Sequence, residues 1–452
     1  MNTAASDHRL QGLLKRYWRQ NLTREQRTIL NGIVHCGSKV IRQFCTTPAV
    51  FVVLKKHSNP DDDGANFFGN AHCHSPWSCP YCSARVMAQK ARFISNAINA
   101  LEDKGQWAAM FTFTMPHYGK TMSCSESFLI LKGAWRQFVR SAQYKREVTH
   151  TLADGTKTKY RKGRNIIGKF RKELGYEYHV RAYEFTWSNK NNWHPHMHCL
   201  FWFPKEKFNE ITDYEEELSK RWRTCLVTAA KNYWKANTDW TPEQIDNKIK
   251  MIFSWDENNA HEAFFISKNL NGKPRRVKSS NYIFGWSANE EMTRTDLKKA
   301  ADGHYTPEQI LQNAADAKTA DEETKWLKLY TDYALATRGH RRVEISHSRH
   351  IKSLTKLVEE WLQTHKSADL ITQKKSTVLA TELVCWFNSD QWWLICNFIE
   401  PQLTDIKAQI LERARLPNGK SLIEKLLLQH GVDITANGEH RDGDWIAKEI
   451  CA

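Results

Sequence analysis

The sequence predicts an α+β fold, a central antiparallel sheet flanked by helices, and three observations carry that expectation. Residues 180–187 and 194–203 are strand-like runs on either side of a turn-like stretch from Ser188 to Asn192, as in an antiparallel hairpin. Apolar residues recur at helical spacing elsewhere, as in Phe93, Ile94, Ala97, Ile98 and Leu101. Five of the eleven cysteines lie from Cys36 to Cys82, which suggests a metal-braced knuckle ahead of the sheet. A chain of 452 residues has length for about two or three domains. Composition suggests 1–105 as an N-terminal region with the knuckle and 106–275 as the sheet core. A basic extension over 276–360 and a C-terminal helical domain over 361–452 follow.

In chain order, residues 1–30 read as a helical lead-in whose Arg9, Lys15, Arg16 and Arg19 form a solvated face. Val50 to Leu54 is a buried-strand candidate, and Asp61-Asp62-Asp63-Gly64 marks a loop. Cys79 and Cys82 are spaced so that both thiolates reach one ion, and Cys73 lies six residues before Cys79. A closed tetrahedral zinc site needs a fourth ligand; Cys36 is preferred, with His35, Cys45, His72 and His74 as rivals. A redox pair is the alternative use of Cys-x-x-Cys, but the strand-then-helix setting of the thioredoxin type is missing. With four protein ligands the zinc would be structural.

A helix is expected over 83–103 with Gly105 ending it, then a strand over 108–115, then an amphipathic helix marked by Phe128, Leu131, Trp135 and Phe138. From Arg140 to Lys172 come eleven basic residues, read as a protruding loop or hairpin that is either solvated or set against phosphates. Beyond the hairpin a long helix is expected from Thr212, with Glu215 completing a capping box and Leu218, Trp222, Leu226 and Tyr233 as its stripe. Thr-Pro-Glu-Gln-Ile occurs at Thr241 and again at Thr306, each time as a threonine cap with proline at the first helical position. Residues 258–270 read as a further helix, followed by basic loops at 273–278 and 338–342. The tail, rich in Trp and Leu (Trp386, Trp392, Trp393, Leu422, Leu426), reads as helical.

The chain carries 66 Lys+Arg against 50 Asp+Glu, a net charge of +16, so a polyanionic partner is expected, nucleic acid first and an anionic membrane surface second. No apolar run reaches the ~20 residues of a spanning helix; the nearest, 383–399, is broken from Asn388 to Gln391. The first residues lack a signal-peptide profile, so a cytosolic protein without membrane contact is expected.

The sharpest signal is His194-Pro195-His196-Met197-His198-Cys199-Leu200-Phe201. Strand side chains alternate, so His196 and His198 look to one side while Met197 and Cys199 look to the other. Two imidazoles on a rigid strand are the start of a metal site, and a carboxylate on the neighbouring strand completes it. If paired residues sum to 382, Glu184 lies opposite His198; a slip of one residue would turn it away. The plain alternative is ordinary strand histidines with hydrogen-bonded partners.

Taken together these motifs resemble the rolling-circle replication initiators of plasmids, a branch of the HUH endonucleases. Phe111-Thr112-Phe113-Thr114 resembles the first family motif, His194 to His198 the metal motif, and Arg181-Ala182-Tyr183-Glu184 the strand before it. The series Cys36-Gly37, Cys73 and Trp77-Ser78-Cys79-Pro80-Tyr81-Cys82 is also similar, as is a later block from Trp326 through Arg341-Arg342 to Ser346. The resemblance covers roughly residues 33–352.

It implies an HUH core, a five-stranded antiparallel sheet related to the RNA-recognition fold, with Mg²⁺ or Mn²⁺ held by His196, His198 and Glu184, and structural Zn²⁺ at Cys36, Cys73, Cys79 and Cys82. It also implies site-specific nicking and rejoining of single-stranded or hairpin origin DNA through a 5′-phosphotyrosine link, and a host helicase as partner. Arg275, Arg276, Lys278, Arg341 and Arg342 would contact the backbone and Trp193 would stack on bases. The family's third motif is a helix bearing Tyr-x-x-Lys; here the matching residues are Phe265-Ile266-Ser267-Lys268. Phenylalanine has no hydroxyl and cannot form the link, so the resemblance reads Phe265 as an inactivating substitution with Lys268 kept. Tyr282, Tyr305, Tyr330 and Tyr333 are possible stand-ins, none with a lysine three residues on. A single-strand transposase, a non-cleaving DNA-binding regulator and, more weakly, a zinc-dependent hydrolase are the alternatives.

Overall fold

In a computed structural model the described residues are 3–41, 49–57, 64–116, 121–140, 142–151, 154–165, 173–176, 178–253, 264–278, 303–345, 350–365 and 378–437. The fold mixes helices with antiparallel sheets, as the α+β expectation requires. The chain divides into two compact units, one made of residues 1–86, 310–338 and 366–452, the other of residues 87–309 and 339–365.

In the first unit, helices α1 (Thr3–Asn21) and α2 (Arg24–Val34) precede strands β1 (Ala49–His57) and β2 (Gly64–Phe68). A capping box at Thr23 starts α2, its hydroxyl accepting from the Gln26 N–H while the Gln26 side chain returns to the Thr23 N–H. The tail is not all helix. The strand Val378–Asn388 pairs antiparallel with β1, which β2 flanks on its other edge. This three-stranded sheet packs Val50, Val52, Phe67 and Phe387 against Trp392, Ile406, Ile410 and Leu427 of the tail helices. Valines and phenylalanines at alternate positions make these strands; the helices cover the apolar face.

Lys15 departs from the solvated lead-in. It is 1 % exposed and paired with Glu400, itself paired with Lys407, at 3.5 and 3.2 Å, and it donates to the Cys36 carbonyl at 2.7 Å. Burial raises the Glu400 pKa, but the charges of Lys15 and Lys407 pull harder, and the net shift is downward. The stabilisation is therefore present at neutral pH and fades as pH falls through that lowered value. Replacing Glu400 by alanine leaves two buried ammonium groups without their carboxylate. The expected loss is about 3–5 kcal/mol, read from urea unfolding; a loss below about 1 kcal/mol would contradict a buried network.

The second unit holds the larger sheet. It is built from β3 (Gln106–Phe113), β6 (His179–Ser188), β7 (Asn192–Pro204), β8 (Phe264–Ile266), β9 (Arg276–Val277), β10 (His304–Tyr305) and β11 (Val343–Ile345). The central ranks are β6, β7 and β3. Short strands β10 and β11 share the outer edge of β6, and β8 and β9 share that of β3. The basic insertion forms its own antiparallel ribbon, β4 (Ala142–Thr151) with β5 (Lys157–Asn165).

Parity along the strands divides the sheet into two faces. One face, with Phe111, Phe113, Tyr183, Phe185, Phe201 and Phe264, takes aromatic contacts from Phe128, Trp135 and Phe138 of α4 (Cys124–Arg140) and from Trp222 of the helix Glu215–Asn237. On the other face, Ala108, Met110, Val180, Ala182, Leu200 and Trp202 pack under Ile94, Ile98 and Leu101 of α3 (Pro80–Glu102) and Leu354 and Val358 of the helix His350–Thr364. That cover lies over one end of the strands. The rest of the same face carries the histidines.

Candidate metal centres

The hairpin β6–β7 is closed by Ser188 opposite Asn192, so paired residues sum to 380 and Glu184 faces His196, not His198. The loop is shorter than expected because Asn192 takes a left-handed backbone, φ 62°, and Ser188 Oγ accepts from the Asn191 N–H at 3.1 Å. A shift of two keeps every side chain on its face, so the carboxylate is still with the imidazoles. Glu184 Oε2 lies 3.0 Å from His196 Nε2 and 3.4 Å from the diagonal His198 Nε2. Diagonal neighbours on paired strands are within reach of long side chains, which is why one carboxylate serves both rings.

The three ligand atoms lie within 4.8 Å of one another. Glu184 is 5 % exposed and His198 7 %, so the group is sheltered yet not sealed. Thr112 of β3 stands directly opposite His198 and its hydroxyl is 3.0 Å from His198 Nδ1. Sequence reading placed Thr112 in a motif but assigned it no part in the site. The alternation in Phe111-Thr112-Phe113 was the available signal, since it puts a lone polar group on the histidine face.

Phe265 does not lie on a helix. Residues 264–266 form β8, with Phe265 opposite Thr112; of the expected helix, 258–263 fall outside the described residues. A three-residue apolar run cannot tell helix from strand, and here the unpaired edge of β3 recruits it. His198, Thr112 and Phe265 consequently share one row across three strands, Phe265 on the ligand face and Phe264 and Ile266 on the aromatic face. At the usual strand spacing, residue 265 is about 10 Å from His198 across the sheet.

Lys268 follows the strand and pairs with Glu215. Glu215 does not close a capping box either; the long helix starts at Glu215 after a 3₁₀ segment, Lys205–Tyr214, and its carboxylate accepts from the Ile266 N–H at 2.9 Å. Both threonine caps do form as read, at Thr241 with Gln244 and at Thr306 with Gln309.

Among the stand-in tyrosines, Tyr330 and Tyr333 are buried in the first unit, and Tyr305 pairs with Trp187, whose parity is opposite to that of the histidines. Tyr282 lies outside the described residues.

The expected DNA contacts divide. Trp193 is 4 % exposed and lies on the face opposite His194, against Phe185 at 6.3 Å between ring centroids; it is a core residue, not an open stacking platform. Its odd position beside even-numbered histidines already implied this. Arg276 is bound to Glu102 and sits over the Trp107 ring at 4.5 Å, and Arg342, 4 % exposed, pairs with Glu308 at 3.6 Å. Both guanidinium groups thus have a carboxylate partner in place, Arg342 under cover and Arg276 partly exposed. Arg341 and Lys278 are exposed, and Arg275 is half-buried.

The second cluster lies in the first unit. Cys36 follows α2, Cys73 comes from the loop before α3, and Cys79 and Cys82 sit at and just inside the α3 N-terminus, where the helix dipole favours thiolates. Gly37 takes φ 71°, and its N–H donates to the Ala71 carbonyl at 2.7 Å, holding the Cys36 loop against the one that leads to Cys73. The four sulfurs fall within 4.8 Å of one another, with Cys36 Sγ 3.5 Å from Cys82 Sγ and 3.7 Å from Cys79 Sγ. Ligands at the Zn–S length of about 2.3 Å in a tetrahedron are about 3.8 Å apart, so this set suits such an ion. Hydrogen bonds from the Cys73, Cys79 and Cys82 thiols push the Cys36 pKa down from its ordinary value. The rivals His35, His72 and His74 are outside this four-sulfur group; Cys45 lies beyond the described residues.

Fold and sites thus define an α+β protein with a four-cysteine cluster and a Glu-His-His triad on an antiparallel sheet, both able to hold a metal. The chain is 26 % identical over 309 residues to Protein rep of Streptomyces lividans, covering 61 % of this chain and 62 % of that protein. It is also 28 % identical over 137 residues to a Neomycin resistance protein of Streptomyces cyanogenus, 29 % of this chain and 30 % of that one. The chain therefore spans less than two thirds of the length of either relative. No protein-family profile matches, and no solved structure matches. Among the described residues no helix is long and apolar enough to cross a membrane.

Proposed function

We propose that this chain is a plasmid replication initiator of the HUH type, built to nick and rejoin single-stranded or hairpin origin DNA. The observation that carries the reading is the row His198–Thr112–Phe265, which sets the Glu184–His196–His198 triad and the nucleophile position of the motif on one face of one sheet. The similarity to a protein named Protein rep supports it. So does the +16 charge, which favours a polyanionic partner.

His196 Nε2, His198 Nε2 and Glu184 Oε2 would hold Mg²⁺ or Mn²⁺, hard enough for the carboxylate and tolerant of imidazole. Such an ion, when bound, supplies Lewis acidity at a phosphate oxygen. A tyrosine at 265 would present its oxygen on the ligand face. Its attack on phosphorus forms the 5′-phosphotyrosine bond and breaks the bond to the 3′ oxygen, which leaves as a hydroxyl once it takes up a proton. Glu215, holding the Ile266 N–H and Lys268 at once, pins the short strand that carries residue 265.

With Phe265 in place the chain has no phenol to offer on that row, and this favours a second reading, a regulator that binds the same DNA without cutting it. The test compares the chain as it stands with Phe265→Tyr, using hairpin DNAs and Mn²⁺. Nicking and a covalent protein–DNA adduct only with tyrosine support the initiator. DNA binding without any cleavage by Phe265→Tyr supports the regulator, and nicking by the unchanged chain at full rate would refute the assignment of position 265.

A further inference from the structure

We infer that Thr112 is a positioning residue for the histidine centre: its hydroxyl is placed to accept from His198 Nδ1–H, the tautomer in which Nε2 keeps its lone pair for a cation. The inference rests on the metal reading of the triad proposed above and adds a residue to it. The imidazole has two nitrogens, and which one is protonated is set by what the other touches. His198 Nε2 faces Glu184 at 3.4 Å, while Nδ1 faces Thr112 Oγ1 at 3.0 Å.

Left to itself, a carboxylate 3.4 Å from Nε2 would draw the proton to that nitrogen and close the ring to a metal. The hydroxyl offers an acceptor on the other side. Thr112 is 3 % exposed, so water cannot easily stand in for it, and its backbone is fixed in register opposite His198 on one side and Phe265 on the other. A β-branched residue on a central strand has few rotamers, which keeps the oxygen pointed at the ring. Valine would copy the shape and remove the hydroxyl from the Nδ1 side of the ring.

The test is Mn²⁺ binding to the zinc-loaded full chain, followed by the electron paramagnetic resonance signal of free Mn²⁺, with His196→Ala defining the binding that belongs to the triad. Thr112→Val is expected to weaken that binding about 10- to 100-fold, and Thr112→Ser to restore it to within about 3-fold, as the retained acceptor requires. Thermal unfolding without Mn²⁺ should be nearly the same in all three chains, which separates positioning from packing. Equal Mn²⁺ affinity in Thr112→Val and the unchanged chain would overturn the role of Thr112 alone. Mn²⁺ binding that His196→Ala leaves untouched would overturn the metal centre and this inference together.

Discussion

We propose that Cys36, Cys73, Cys79 and Cys82 hold a structural zinc ion, and its removal is expected to unfold the unit that carries them. The ligands come from three separated places in the chain, and the loops that carry Cys36 and Cys73 are joined by backbone bonds such as Gly37 N–H to the Ala71 carbonyl. Thiolates packed within 4.8 Å repel one another unless a cation lies between them. Structural zinc sites contribute about 10–16 kcal/mol of apparent binding free energy, as much as the whole stability of a typical domain, about 5–15 kcal/mol. Elemental analysis should find one zinc per chain. Chelation, or Cys73→Ser, should strip it and lower the melting temperature of the cooperative transition by well over 10 °C. Acid should act in the same direction, since protonated thiols release the ion. A protein without zinc that still melts at the original temperature would mean that the cysteines need no metal.

The second large effect is expected at the histidines. In the Phe265→Tyr background, His198→Ala should reduce nicking about 1000-fold, as several kcal/mol of metal-derived stabilisation are lost at 1.36 kcal/mol per factor of ten. His196→Ala should act similarly, because both Nε2 atoms address the same Glu184 oxygen. The two losses should not multiply in the double variant, since ligands of one ion act as a unit. Single-turnover cleavage at saturating Mn²⁺ reads this directly. Independent, additive losses would place the two rings at different tasks and break the single-centre description.

Much of the histidine centre was legible in advance. Parity alone put His196 and His198 on one face, and a carboxylate two strand positions out of register still lands there, because side-chain direction repeats every two residues. The same parity, applied to Trp193, puts it on the opposite face, against the base-stacking role expected of it. Local chemistry sufficed for the caps at Thr241 and Thr306, where donor and acceptor lie three residues apart. It failed at Glu215, whose carboxylate found the Ile266 N–H 51 positions away.

By itself the sequence determined which side chains could share a face and which cysteines were close enough in the chain to share an ion, since both follow from fixed backbone periods and short spacings. Tertiary structure decided the hairpin register, the strand at 264–266, the tail strand Val378–Asn388 beside β1, and the burial of Lys15 with Glu400 385 positions later. Those outcomes depend on which distant edge or charge is left unsatisfied when the chain packs. Such a demand is set by the whole fold and leaves no trace in any local pattern.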